Sequence, residues 1–208
     1  MVVVQKGYEL DWPSTWEEAE DFAHHLVDGI GYPIDEGILE AVVALNMIGL
    51  HTCQSCEGHL DDGLPYPWID FETNEFPAFQ QALEDADDHE EQGAQLVALA
   101  ESLTAQGRGD LYERLEKLLC AYYEQNPMIP EEWRMIILWG SPIFFRLMPL
   151  CGFDADEWPE NTRAENLARA QAEMQAFTIF LKNLWQQKQD ERKARNTQKQ
   201  CVCTIRKT

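Results

Sequence analysis

Twice along the chain, a run of apolar residues at helical spacing gives way to two short segments of strand character. Residues 35–48 carry Ile38, Val42, Leu45 and Ile48 on one stripe and stop at Gly49, and strands are expected at 50–56 and 68–72. The same order recurs when Leu111, Leu115, Leu118, Leu119 and Tyr122 mark a helix over 110–125. Strands then follow at 134–139 and 143–150, joined at Gly140-Ser141-Pro142. The halves share element order without evident sequence identity. Each helix has one apolar face to bury and each strand pair needs a cover. The pattern therefore predicts an α+β fold: a two-layer arrangement with an antiparallel sheet of about four strands, in two hairpins, and helices packed on it.

Around this frame, Ser14-Thr15-Trp16-Glu17 has the form of a capping box, and Trp16, Ala19, Ala23, Leu26, Val27 and Ile30 continue a helical stripe to Gly29 and Gly31. His24 and His25 fall on its flank as partly exposed residues. Asp35 is placed to cap the next helix. Pro77 opens an acidic helix carrying Phe79, Leu83 and Ala86, and Leu96 to Leu103 marks another. Thr162-Arg163-Ala164-Glu165 starts a long helix through Leu167, Ala170, Met174, Phe177, Leu181 and Leu184, expected to fray after Trp185. Residues 1–185 thus read as a single acidic α+β domain. Residues 186–208 read as a polar, basic tail, a solvated helix end or disordered.

Charge is distributed unevenly. The formal net charge is −21, yet residues 182–208 hold eight Lys or Arg against two acids, which leaves eight against thirty-five in residues 1–181. Nucleic acid is attracted by clustered cations, so the body is a poor nucleic-acid surface and a basic protein surface is its better partner. No segment reaches the roughly 20 apolar residues of a membrane span, and the first residues lack the pattern of a secretory signal. A cytoplasmic location is expected, with the six cysteines reduced unless they hold metal or do redox work. Cys120 and Cys151 have apolar neighbours and read as core residues. At 208 residues the chain can bury roughly 70% of its extended surface, so it needs no disulfide or metal to fold.

Chemistry concentrates in His51-Thr52-Cys53-Gln54-Ser55-Cys56-Glu57-Gly58-His59. Cys53 and Cys56 have the spacing of a two-thiolate zinc knuckle, and His59 and His51 can complete four ligands, making zinc the candidate cofactor. Alternation along a regular strand opposes this, because it sends Cys53 and Cys56 to opposite faces. A redox pair needs its first thiol at a helix N-terminus, whereas this pair follows a helix and enters a strand. For nucleophilic catalysis the candidates are Cys56 as thiolate, His59 as base and Asp61 or Asp62 as its orienter. Asp61, Asp62, Asp70 and Glu72 offer oxygens to a hard cation, without a recognisable loop spacing. The competing structural account has the cysteines as small core residues, Gly58 making a tight turn, and Glu57 and His59 capping loop amides. Cys201 and Cys203 fall on one side of an extended chain and read as incidental.

The run from Gly49 to His59, with Thr52 and Ser55-Cys56-Glu57-Gly58-His59, resembles a segment of small uncharacterised bacterial and phage proteins. There a helix ends in Gly and a strand follows, carrying Thr and then Ser-Cys-x-Gly-His. It is similar, more faintly, to the Thr-x-x-Ser-Cys-Ser-Gly-Arg string of tRNA wybutosine-synthesis methyltransferases, with His59 in place of the Arg. These resemblances imply that Ser55 to His59 form one structural unit at a strand end rather than half of a zinc ribbon. The functional patch expected is the turn 53–62. It serves either a binding or regulatory module or a metal- or thiol-dependent enzyme using Cys56 and His59.

Overall fold

The computed structural model describes residues 3–4, 10–27, 31–61, 63–72, 111–141 and 144–205. Its helices are α1 (Trp16–Ala23), α2 (Glu36–Met47), α3 (111–125) and α4 (Glu160–Ile205); its strands are β1 (Val3–Val4), β2 (Leu26–Val27), β3 (Gln54–Cys56), β4 (Trp68–Glu72), β5 (Met135–Ser141) and β6 (Phe144–Pro149). The helices expected after Pro77 and over 96–103 lie outside the described residues.

The sheet runs β3-β4-β6-β5, antiparallel throughout. Each hairpin contributes its second strand to the centre, so the repeated helix-strand-strand order becomes a symmetric strand order about the β4–β6 seam. At that seam Phe71 faces Phe145 across the ladder, and the rings stack with centroids 5.1 Å apart. Ile69, Phe71, Phe145 and Leu147 point toward the helices, and Met174, Phe177 and Leu181 of α4 close the same core. The α+β architecture expected from the pattern is the one observed.

The apolar face of α2 is wider than one stripe. Eight of its twelve residues are buried, because α1 and α4 pack on it in addition to the strand that follows it. It ends as the sequence indicates: Gly49 has φ +80°, Leu50 N–H donates to Leu45 O and Gly49 N–H to Asn46 O, the paired bonds of a Schellman cap. Buried Asn46 then ties helix to strand, its amide donating to Thr52 Oγ1 and its carbonyl accepting from Thr52 N–H.

Several boundaries differ from the sequence expectation. Helix α1 stops at Ala23, and Leu26–Val27 pairs in parallel with Val3–Val4 instead of continuing the helix. Backbone pairing with a segment more than twenty residues upstream overrides a helical stripe that strand residues can also satisfy. The cap of α1 is Thr15 rather than Ser14, with Thr15 Oγ1 accepting from Glu18 N–H and donating to the Glu18 carboxylate. Regular pairing of β3 begins only at Gln54. Helix α4 starts at Glu160 and, rather than fraying after Trp185, continues to Ile205, 46 residues or roughly 69 Å at 1.5 Å per residue. Side chains from 190 to 196 are exposed, which makes this stretch a solvated helix end. Cys151 is buried as expected, but Cys120 is exposed on the outer face of α3.

The other sheet face carries a charge pair. Arg146 grips its cross-strand neighbour Asp70 with both Nε and Nη2, at 2.7 and 2.8 Å, and its guanidinium lies 3.9 Å from the Trp68 ring centroid. Burial pushes the Asp70 carboxyl up from its ordinary value, and the guanidinium is what opposes that shift. Asp70→Ala leaves Arg146 without its counter-charge, and the expected cost in urea unfolding is about 3 kcal/mol. Gly58→Ala is expected to cost more than about 2 kcal/mol in the same assay. Gly58 has φ +89°, and an added Cβ would lie 2.7 Å from the Tyr66 carbonyl carbon and 2.8 Å from Leu167 Cδ1.

Candidate functional site

The turn after β3 is pressed into the N-terminus of α2. Asp35 occupies the N-cap position of that helix with extended backbone, yet its side chain makes no cap hydrogen bond. Its carboxylate turns outward instead: Oδ2 accepts from Glu57 N–H at 3.1 Å and lies 3.3 Å from His59 Nε2. The vacated capping role passes to Glu57, whose Oε2 accepts from Gly37 N–H at 2.7 Å. Asp35 and Glu57 thus exchange partners, each carboxylate serving an amide on the other's segment. Glycine at 37 leaves the room, since a Cβ there would run into Glu57 Oε2. Gln171 of α4 donates to Glu57 O at 3.0 Å, fixing the turn from a third side.

This exchange draws three ligand types together. One ligand atom from each of Asp35, Cys56 and His59 lies within 4.8 Å of the other two, and all three residues are half-buried. A cleft of about 210 Å³ opens onto them, bounded also by Tyr32, Ile34 and Ser55. Of the four zinc ligands expected from spacing, Cys56 and His59 come together here, while Cys53 and His51 do not join the cluster. Cys53 is buried, its N–H donating to Asp70 O beside the sheet. At His51, burial and then the positive charge of Arg114 push the pKa down. Strand alternation accounts for the split, since Cys56 shares a face with its ladder partner Trp68 and Cys53 stands three residues away.

The thiol is not activated by its surroundings. Burial pushes the Cys56 pKa up, the Gly58 N–H contact at 3.3 Å draws it down, and the Asp35 carboxylate raises it again. A reactive cysteine needs a positive environment, and this one has two carboxylates beside it. The catalytic set named from sequence is brought together in part: Cys56 and His59 meet, but Asp61 is exposed and makes no hydrogen bond or ion pair among the described residues. Asp35 takes the place beside His59. Of the oxygen ligands considered for a hard cation, Asp70 is committed to Arg146. The sequence signal for Asp35 was Gly37, a glycine in the first turn of an otherwise strong helix.

No protein-family model, curated protein or solved structure matches the chain.

A double-mutant cycle tests the exchange in the presence of a chelator. Asp35→Ala and Glu57→Ala are each expected to cost about 1 kcal/mol, and to couple by a similar amount because each removes the other's constraint. Strictly additive losses in urea unfolding would show the two carboxylates acting independently.

Proposed function

We propose that this chain is a metal-dependent enzyme acting on a small substrate, with a zinc-type divalent ion held by Asp35, Cys56 and His59. The observation that carries the reading is the convergence of a carboxylate, a thiol and an imidazole within 4.8 Å at the floor of a cleft. Three protein ligands of these types leave one tetrahedral position for water or substrate, the arrangement of catalytic rather than structural zinc. The acidic body favours cation capture. A bound cation also reverses the handicap of the thiol, because coordination stabilises the thiolate that the two neighbouring carboxylates disfavour. Asp35, Cys56 and His59 would hold the ion, which would supply Lewis-acid chemistry to a substrate oxygen or a water, while Glu57 and Gln171 hold the turn that carries two of the ligands.

A second reading rests on two exposed apolar side chains: Tyr32, 67% exposed, which lines the cleft, and Leu60, 41% exposed, which follows His59 in the turn. Under it, the turn 53–62 is the contact patch of a binding or regulatory module that engages a basic protein surface.

Metal analysis of protein purified without added zinc separates the two. About one zinc per chain is expected, lost in Cys56→Ser, His59→Gln and Asp35→Asn and kept in Cys53→Ser and His51→Gln. Metal-free protein that also fails to take up zinc or cobalt in equilibrium dialysis would leave the binding module as the account of the patch.

A further inference from the structure

A second cleft, of about 500 Å³, lies between the 126–130 connection after α3 and the first third of α4, apart from Asp35, Cys56 and His59. Its volume falls in the range of small-molecule sites. Its walls are largely apolar, from Met128, Ile129, Trp133 and Ala172, and two opposite charges, Arg169 and Glu173, also line it.

Those two charges stand four apart on α4, the spacing at which Arg and Glu ordinarily pair on a helix surface. Here they do not. The Arg169 guanidinium stacks on Trp133, 4.2 Å from the ring centroid, and makes no ion pair among the described residues. Glu173 turns inward, only 9% exposed, and bonds the hydroxyls of Tyr123, at 3.0 Å, and Tyr122. A carboxylate offers about four lone-pair sites, so two such bonds leave capacity on the cleft side. The walls are held in place beforehand. Arg134 donates from Nε to Ile129 O at 3.0 Å and from Nη2 to Pro127 O at 3.3 Å, and Asn126 Nδ2 donates to Tyr122 O.

We propose that this cleft binds a small zwitterion of the α-amino acid class with an apolar side chain, its carboxylate on Arg169 and its ammonium on Glu173. A neutral ligand would meet neither of the two charges that line the cleft, and a singly charged one would meet only one of them. Burial pushes the Glu173 carboxyl above its ordinary value, so an ammonium brought beside it recovers stabilisation that water does not supply there. Trp133 and Ile129 then receive the side chain, with Met128, 90% exposed, at the rim.

Isothermal titration of the full chain tests this with L-leucine, L-methionine and L-phenylalanine, each beside its amide and its N-acetyl derivative. At least one free amino acid is expected to bind in the millimolar range or tighter, and each block to weaken it about tenfold or more, the loss of one charge-assisted contact. Arg169→Gln, on an exposed side chain, is expected to abolish the preference for acid over amide and keep that for free over acetylated amine. Glu173→Gln, checked for folding by its circular dichroism melt, is expected to do the reverse. No binding by any of the three, equal binding of blocked and free forms, or an unchanged acid preference in Arg169→Gln would overturn the proposal.

Discussion

The exchange between Asp35 and Glu57 is the constraint on which the rest of the site depends. A helix N-terminus leaves amides without intrahelical partners, and the residue at the N-cap normally supplies the first acceptor. When that acceptor comes from Glu57, twenty residues beyond Gly37, capping the helix and closing the turn after β3 become the same event. Asp35 is released to face Cys56 and His59 only because Glu57 has taken over the helix. Gly58 completes the arrangement, its left-handed backbone and missing side chain allowing the turn to lie against Tyr66 and Leu167. The string Ser55 to His59 is thus a unit defined by its neighbours: Glu57 reaches α2, Gly58 touches Tyr66 and α4, and Cys56 and His59 face Asp35.

How much of this was legible in the sequence follows from the range of each interaction. The sheet was legible because alternation in Trp68 to Glu72 and the apolar runs on either side of Gly140 are local patterns. The end of α2 was legible because a Schellman cap is written within a few residues, in Gly49. The separation of Cys53 from Cys56 followed from alternation alone. The approach of Asp35 to Cys56 and His59 did not, since Asp35 precedes Cys56 by a helix and a strand and looks like an ordinary N-cap. The Leu26–Val27 strand was hidden for a related reason. Its partner is Val3–Val4, and a helical stripe running through Leu26 is compatible with the same two residues in a strand.

Charge placement gives the acidic body a more specific meaning. In the described part of the molecule, cations are used one at a time against defined partners. Arg146 holds Asp70 and covers Trp68; Lys182 bonds Glu40 and lies over Trp16; Arg134 holds the 126–130 connection and covers Tyr123. Lys182 draws the Glu40 pKa down by its hydrogen bond, so that contact contributes while Glu40 is ionised and is lost as pH falls through its lowered pKa. Such pairing leaves most carboxylates facing solvent, and the resulting field favours cations at any opening where ligand atoms converge.

The same logic separates the two clefts chemically. At the first, a thiol and an imidazole stand beside carboxylates, a set of groups that would suit a positive ion with affinity for sulfur and nitrogen. At the second, the carboxylate is buried against a phenol and the neighbouring guanidinium is held on an indole face, so each charge is fixed at its own position with apolar surface around it. A metal ion at the second cleft would have one carboxylate and neither thiol nor imidazole, and Arg169 would repel it. An amino acid at the first would set its carboxylate among Asp35 and Glu57. What distinguishes the clefts is therefore the set of groups each presents, and both sets hang on α4: through Leu167 and Gln171 at the turn, and through Arg169 and Glu173, each two residues further along and so on another side of the helix.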